Sequence, residues 1–209
     1  MYNFFQKSFR FVFSIYALLL LVLAVILILP VMLFILIFPP NLDALVAVHA
    51  LRGRSIRGLG KYEFSKMPLI GFIYRNAVIL VKRGDKEDRA RSIAAMKETI
   101  SQGISIFLAP EGTFNESSDP LSTFYDGAFR IAIETQTSLR PMLLLDTYDR
   151  MNHRSIFSFN PGPSRVVFLK TFSVTDYGID DLPLFKEKVF AHMQEELIKH
   201  QASWIKKNV

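Results

Sequence analysis

The sequence contains no cysteine, which excludes disulfide bonds, a thiolate nucleophile and zinc sites built on cysteine. It also contains neither G-x-G-x-x-G nor G-x-x-x-x-G-K-[ST], which argues against a glycine-rich nucleotide-binding loop. Acidic residues number 19 against 25 Lys and Arg, for a formal charge of +6. Because the basic residues are spread along the chain, they favour an anionic membrane surface or an acidic small substrate over nucleic acid. We see no cluster of metal ligands and expect no metal.

Hydrophobic residues are in excess, at 50% of the 209 positions, and they concentrate near the N-terminus. Phe11 to Phe38 carry no charge over 28 residues, and a helix of that length would measure about 42 Å, more than a hydrocarbon core of ~30 Å requires. A cleaved signal peptide would have a shorter apolar region and a small-residue cleavage site. We therefore interpret residues 1–40 as a membrane segment, either a spanning helix kinked at Pro30 or a re-entrant hairpin with Pro30 at its tip.

The basic residues around this segment predict its orientation. More of them follow it than precede it, which favours a cytoplasmic location for the rest of the chain. Those before the segment are Lys7 and Arg10, and those after it are Arg52, Arg54, Arg57 and Lys61.

Residues 41–209 alternate short apolar runs with amphipathic stretches, which predicts one α/β domain. Most of the apolar runs are unbroken, so we expect one mixed, largely parallel sheet covered by helices. The predicted strands are Ser55–Gly60, Ala77–Val81, Ile104–Ala109, Pro141–Asp146 and Arg165–Lys170. The predicted helices are Ala44–Leu51, Phe64–Tyr74, Lys86–Gln102, Leu121–Glu134 and Asp181–Lys206. Two of these helices carry apolar stripes predicted to be core: Ile93, Met96 and Ile100, and Leu182, Phe185, Val189, Met193 and Leu197.

The stretch "ISIFLAPEGTFN" runs from an apolar strand directly into Pro-Glu-Gly-Thr. Glu111 can accept hydrogen bonds, Gly112 allows the backbone to approach a ligand closely, and Thr113 offers a hydroxyl. Taken alone, the same residues also suit an ordinary turn with a helix cap. Lys61 and Arg83 each end a strand-like run upstream, and two cations beside a polar strand tip could converge on a phosphate.

Together, these motifs resemble those of the glycerolipid acyltransferases that acylate lysophosphatidic acid, over about Leu42 to Leu145. "GKYEFSKMPLIGFIYR" resembles that family's lysine-containing strand and following helix, and "NAVILVKR" resembles its second motif, which implies that Arg83 binds the substrate's phosphate. "FLAPEGTFN" is similar to the third motif, which implies that Glu111, Gly112 and Thr113 help to bind the glycerol phosphate. The strand that begins at Pro141 resembles the fourth motif.

The first motif of the family is only partly present. In the family it is Asn-His, four residues and then Asp, where the histidine is the general base and the aspartate orients it. Asp43 in "LDALVAV" resembles that aspartate, but Phe38 stands five residues before it, so the motif histidine is absent. His49 could approach Asp43 only with the order along the chain reversed. The strand that precedes this motif in the family also has no room here, so the domain is predicted to lack its first strand.

The resemblance implies an acyltransferase of phospholipid synthesis. It would transfer an acyl group from acyl-CoA or acyl-carrier protein to 1-acyl-glycerol-3-phosphate at the bilayer, and it would need no cofactor. The missing histidine supports an alternative, a catalytically silent or truncated relative that binds lysophospholipid without turnover. A membrane-anchored phosphate-binding or nucleotide-binding module is a third possibility, and the missing glycine-rich loop argues against it.

Overall fold

The computed structural model describes residues 2–37, 42–67, 70–81, 86–113, 115, 117, 119–151 and 158–205. Along them helices alternate with short strands. The strands are β1 (Ile56–Lys61), β2 (Val78–Val81), β3 (Ser105–Phe107), β4 (Met142–Leu144) and β5 (Val166–Phe168). The α-helices are α1 (Tyr2–Ile37), α2 (Leu42–Ala50), α3 (Ile70–Ala77), α4 (Lys86–Ser101), α5 (Gly127–Glu134), α6 (Thr147–Arg150) and α7 (Leu182–Lys199), and 3₁₀ turns lie at Tyr62–Lys66 and Ile179–Asp181.

The apolar N-terminal segment forms α1, a continuous helix of 36 residues. The helix runs through Pro30, so the expected alternative of a re-entrant hairpin at this proline is wrong. Its side chains are exposed from Phe11 to Leu29, a stretch of 19 residues with a mean hydropathy of 3.2. Within the described part of the chain, this stretch is the one long and apolar enough to cross a bilayer.

The predicted strands are all present, but they do not form one sheet. A three-stranded parallel sheet has the order β2-β1-β3, and β4 pairs with β5 in a separate antiparallel sheet. The expectation of a single sheet is therefore wrong within the described residues, because β3 pairs only with β1 and β4 pairs only with β5. The fold class, mixed α/β with a parallel sheet and covering helices, is confirmed.

Two predicted helices differ from the structure for local reasons. The predicted helix Phe64–Tyr74 is a 3₁₀ turn followed by α3, and Met67 between them is extended because it precedes Pro68. The predicted helix Leu121–Glu134 begins only at Gly127. Backbone N–H groups of the residues before Gly127 donate hydrogen bonds to the loop after β3. They therefore do not form the hydrogen bonds of a helix.

The larger core lies between α5, α7 and the β4-β5 sheet. All five stripe residues of α7 are buried, and Phe129 of α5 packs with Phe185 of α7 with ring centroids 6.0 Å apart. A smaller core lies on the three-stranded sheet, where Ile79 packs with Met96 of α4 and Ile131 of α5, and Ile93 and Ile100 are partly buried against it. Both predicted stripes are therefore confirmed as core.

Candidate active site

The parallel sheet brings Lys61 and the turn that contains Glu111, Gly112 and Thr113 to one edge. Lys61 ends β1 and pairs with Val81 at the end of β2, while Gly58 pairs with Phe107 at the end of β3. The carboxyl ends of parallel strands meet at the same edge, and ligands of α/β folds bind there. Lys61 is exposed at this edge. Arg83 lies outside the described residues, two positions beyond Val81 in the sequence, so its role stays a prediction.

The Pro-Glu-Gly-Thr segment after β3 is a turn fixed by three hydrogen bonds. The N–H of Gly112 donates to the carbonyl of Ala109 at 3.2 Å, and the N–H of Tyr125 donates to the carbonyl of Pro110 at 2.8 Å. The carboxylate of Glu111 accepts a bond from the N–H of Ser122 at 2.8 Å. The turn is therefore held from the segment that precedes α5 and is preorganised without a ligand.

Gly112 is required at its position in this turn. Its φ of +65° lies in the left-handed region, which favours glycine. A Cβ atom here would also stand 3.0 Å from the ring of Tyr125. The Tyr125 side chain is 69% exposed and flanks the turn, beside the exposed Thr113. Sequence reasoning missed Tyr125, because nothing in the spacing of "FYDGAF" distinguishes it from a helix residue.

Glu111 and Asp43 lie close enough to affect each other electrostatically. Burial raises the pKa of the half-buried Glu111, the N–H of Ser122 lowers it, and the negative charge of Asp43 raises it further. The structure thus brings together two residues that are far apart in the sequence and that the family resemblance assigned to one site. Asp43 lies in the first turn of α2, and α2 packs against β4, β5 and α6.

Tyr74 of α3 fixes the end of β1 that carries Lys61. The N–H of Lys61 donates a hydrogen bond to the hydroxyl of Tyr74. Burial is the main cause that raises the pKa of this hydroxyl. The bond from Lys61 lowers that pKa, and the charge of Glu63 raises it. Gly60 provides the space, because a Cβ there would collide with the Tyr74 hydroxyl and the Val78 side chain. Lys61 therefore sits on a constrained strand end.

The histidines do not supply a base to this pair in the described structure. His49 is exposed in the last turn of α2. His49 stands six positions after Asp43 along the helix, a rotation of about 240°, so the two side chains leave different faces. His192 packs on Phe172 with ring centroids 5.5 Å apart, and His200 lies 3.3 Å from Glu196 on α7. His153 lies outside the described residues.

A hydrogen-bonded pair that the sequence did not reveal joins β4 to β5. The buried Asp146 accepts bonds from Arg165, at 2.8 Å from its backbone N–H and at 2.9 and 2.7 Å from its guanidinium. The side-chain bond from Arg165 holds the pKa of Asp146 below its ordinary value. The guanidinium also donates to the carbonyls of His200 and Gln201 after α7. This pair stabilises the sheet on which α2 packs.

A cavity of about 780 Å³ lies elsewhere, between β2, α3 and α4. Its lining includes Arg57, Arg75 and the polar side of α4, and none of the predicted site residues that lie in the described part of the chain. The described residues contain no group of three or more His, Asp or Glu that could hold a metal ion. The candidate site is therefore the edge with Lys61, Glu111 and Asp43.

These features define an α/β domain with polar residues at the carboxyl edge of a parallel sheet. Residues 35–145, which are more than half of the 209 residues, match the family model described as "Acyltransferase". The chain belongs to the acyltransferase family.

Individual relatives are similar over part of their length. The 1-acyl-sn-glycerol-3-phosphate acyltransferase of Helicobacter pylori is 26% identical over 157 residues, which are 75% of this chain and 64% of that protein. The chloroplastic 1-acyl-sn-glycerol-3-phosphate acyltransferase LPAT1 of Arabidopsis thaliana is 29% identical over 119 residues, which are 56% of this chain and 33% of that protein. The chain thus spans less than two thirds of either relative.

The fold is also similar to that of a solved structure. The crystal structure of the 1-acyl-sn-glycerophosphate acyltransferase PlsC from Thermotoga maritima matches with a TM-score of 0.58 and 19% identity, over 73% of this chain and 59% of that one. At this identity the likeness shows the fold alone.

Proposed function

We propose that the protein is a membrane-bound acyltransferase of phospholipid synthesis, which transfers an acyl group from acyl-CoA or acyl-carrier protein to 1-acyl-glycerol-3-phosphate. The observation that carries this proposal is the turn after β3, where Glu111 is held by the N–H of Ser122 beside the strand that ends in Lys61, and where the charge of Asp43 raises the pKa of Glu111. The names of the relatives support the choice of acceptor, since they act on 1-acyl-sn-glycerol-3-phosphate. The product is phosphatidic acid.

Each site residue has a role that its chemistry suits. Lys61 and Arg83 provide positive charge for the phosphate, and Glu111 accepts a hydrogen bond from the glycerol backbone. Gly112 and Thr113 let the turn approach the glycerol phosphate. The acceptor's hydroxyl oxygen attacks the thioester carbonyl, an ester C–O bond forms, the C–S bond breaks, and the hydroxyl proton ends on the leaving thiol. Positioning and charge stabilisation carry most of such a reaction.

The step needs a general base at the acceptor hydroxyl, and this supports a second candidate function. The described histidines lie on the exposed end of α2 and on α7, and the motif histidine ahead of Asp43 is absent from the sequence. A chain of this kind would bind lysophospholipid and turn it over very slowly, since a positioned base contributes about 10²–10⁴-fold to the rate.

The acyl-transfer reaction belongs at a membrane, because both the acceptor and the product are lipids. The helix α1 suits an anchor, and we place the catalytic domain on the cytoplasmic side from the basic residues that follow α1. Anchoring would keep the carboxyl edge of the sheet within reach of lipid.

Transfer of labelled acyl groups from acyl-CoA to lysophosphatidic acid tests the proposal. The purified chain should show little transfer, and a chain with the motif's strand and Asn-His restored ahead of Leu42 should be about 10²–10⁴-fold faster. His49→Ala in the unrestored chain is the control. If the unrestored chain turns over rapidly and His49→Ala abolishes this, His49 is the base. If the unrestored chain binds the acceptor and shows no transfer at all, the second candidate function holds. If the restored chain also stays inactive, the proposed function is wrong.

A measurement of lysophosphatidic acid binding tests the acceptor site independently of catalysis. Arg83→Ala should weaken binding by about 1–3 kcal/mol, the range for hydrogen bonds between charged groups. Arg91→Ala removes the same charge from an exposed side chain on α4 that pairs with Glu87, and it should leave binding unchanged. Equal binding by Arg83→Ala and the unmodified chain would exclude Arg83 from the phosphate site.

A further inference from the structure

The cavity between β2, α3 and α4 has no part in the proposed function. Its volume of about 780 Å³ is within the range of about 300–1,000 Å³ that small-molecule sites occupy. Its walls are formed by β2 from Val78 to Leu80, by Arg75 at the end of α3, and by α4 between Asp88 and Gln102. The fold therefore contains a second opening large enough for a small molecule.

Two arginines reach this cavity from different elements. Arg57 of β1 is in register with Ile106 of β3, and Ile106 packs against the core cluster that contains Met96 of α4. Residues in register on parallel strands point to the same face of a sheet, so the side chain of Arg57 lies on the face that α4 covers. Arg75 comes from the last turn of α3. Both side chains line the cavity.

The charges of these two arginines are not neutralised within the described part of the chain. Neither Arg57 nor Arg75 forms an ion pair or a side-chain hydrogen bond there. Arg91, the third arginine of the lining, is paired with Asp88 at 3.5 Å. The other carboxylate, Glu98, is exposed, so three arginines and two carboxylates give the lining a net charge of +1. A positive cleft with apolar walls concentrates anions.

The α4 side of the cavity provides hydrogen-bond acceptors. Ser92 and Thr99 are buried, and their hydroxyls donate to the carbonyls of Asp88 at 2.8 Å and Ala95 at 2.7 Å. Since the single proton of each hydroxyl is used in this way, the oxygens offer lone pairs alone to a ligand. The two residues stand seven positions apart, about 10 Å along the helix. Together with the apolar wall of β2, they suit an organic group that carries N–H or O–H donors.

We propose that this cavity is a second anion site, which binds an organic phosphate monoester. Arg57 and Arg75 hold the phosphate, because a guanidinium group matches phosphate oxygens in a bidentate geometry. A phosphate monoester carries a charge of about −1.5 to −2 and three acceptor oxygens, which suit two arginines better than a carboxylate does. The buried hydroxyls of α4 accept hydrogen bonds from the organic part. The proposal does not rest on the proposed function, which assigns the acceptor's phosphate to Lys61 and Arg83.

Nuclear magnetic resonance of the full chain in detergent micelles, without lysophosphatidic acid or an acyl donor, tests the site. Adenosine monophosphate and adenosine are matched probes that differ only in the phosphate. Adenosine monophosphate should shift the amide resonances of Ala95 and Thr99 and should bind at least about tenfold more tightly than adenosine, because the phosphate adds charge-assisted hydrogen bonds. Equal binding of the two probes would overturn the proposal.

Two further probes distinguish the source of the phosphate. Inorganic phosphate should displace adenosine monophosphate, since both use the same arginines. Phosphatidic acid, mixed into the micelles, presents the same monoester on a lipid. A response of the α4 amides to phosphatidic acid alone would support the site and identify its ligand as a lipid. No response to any of the phosphates would overturn the proposal.

Substitutions locate the bound phosphate. Arg57→Gln and Arg75→Gln should each weaken binding of adenosine monophosphate by at least about tenfold. Arg130→Gln, at an exposed position on α5, is the control and should not weaken it. Lys61→Gln should not weaken it either, since Lys61 lies outside the cavity lining. If Lys61→Gln abolished binding and the two arginine variants did not, the phosphate would bind at the sheet edge, and the proposal would be wrong.

A conservative variant separates binding from folding at the partly buried Arg57. Arg57→Lys keeps the charge and loses the planar fork, so it should bind adenosine monophosphate more tightly than Arg57→Gln and less tightly than the unmodified chain. Thermal unfolding without ligand checks that both variants fold. Equal affinities of Arg57→Lys and Arg57→Gln, in two folded proteins, would show that the charge at this position does not hold the phosphate and would overturn the proposal.

Discussion

The most informative residue is Glu111, whose carboxylate is half-buried, bonded to the N–H of Ser122 and repelled by Asp43. Two acidic groups that repel each other are unfavourable until a cation or a proton neutralises one of them. In the proposed function, Lys61 and Arg83 would bind the phosphate, and the carboxylate of Glu111 would accept a hydrogen bond from the glycerol. The repulsion between Glu111 and Asp43 therefore costs stability in the unliganded protein.

That cost predicts how stability depends on pH. Because the pKa of Glu111 is raised, the native state holds this proton more tightly than the unfolded chain does. The native state therefore loses relative stability as pH rises from the ordinary carboxyl pKa through the raised value, and the loss is complete above it. Glu111→Gln removes the charge and still accepts the Ser122 bond, so it should be at least as stable as the unmodified protein at pH 7.

Urea unfolding at pH 7 and at pH 4 measures this difference. The advantage of Glu111→Gln should shrink at pH 4, where the native Glu111 is protonated. Glu63→Gln, at an exposed position, is the control and should show little change between the two pH values. A Glu111→Gln protein that is less stable at pH 7 would show that the charge-assisted bond to Ser122 outweighs burial and the repulsion by Asp43.

At this scale the sequence predicted the position of the residues that stand in a short motif, while their roles in binding stay predictions. Glu111, Gly112 and Lys61 stand at strand ends, where apolar runs give way to polar residues, and the structure places them at the sheet edge. Asp146 and Arg165 were missed because they stand 19 positions apart in the sequence. Asp146 ends one apolar run and Arg165 begins another, and neither position differs from the end of any other apolar run. Tertiary pairing of that kind leaves no periodic signal.

At the scale of elements, apolar runs and helical stripes were sufficient to locate every strand and most helices. Hydrogen bonding between elements was not predictable from them. The helix α5 starts late because Ser122 and Tyr125 donate to the turn after β3 instead of to a helix. Among the described residues the sheet is divided because β3 and β4 each have one partner, and strand order depends on long-range pairing that a strand's own residues do not encode.

The helix α1 leads to a prediction about membrane association. Its exposed apolar side chains from Phe11 to Leu29 have no protein surface to cover them among the described residues, so the chain should stay with membranes in high salt and alkaline carbonate. Replacement of both Leu20 and Leu23 by Arg should weaken membrane association, because each charge at the centre of a helix costs about 2.5–3.5 kcal/mol to insert into a bilayer. Leu184→Arg, at an exposed position on α7, is the control and should not weaken membrane association. Release of the unmodified chain by carbonate would contradict the anchor.

At the scale of the whole molecule, the fold consists of two sheets held together by helices. The larger core joins α5 and α7 to the antiparallel sheet, and the smaller core joins α4 and α5 to the parallel sheet. Both cores include α5, and an ion pair of 2.9 Å between Lys97 and Glu134 also connects it to α4. Because no strand of the described residues pairs β3 with β4, the coupling of the two halves depends heavily on this helix.

Ile131 is the α5 side chain that enters the smaller core, and it is 4% exposed. Ile131→Ala should cost about 2–5 kcal/mol and also uncouple the halves, because the cavity lies at their junction. Urea unfolding in micelles should then give different midpoints for Trp204 fluorescence, which reports the larger core, and for far-ultraviolet circular dichroism. Leu197→Ala, within the larger core, should lower stability by a similar amount. If both variants gave coincident midpoints, α5 would not be the element that limits cooperativity, and the two sheets would be coupled by contacts other than those of Ile131.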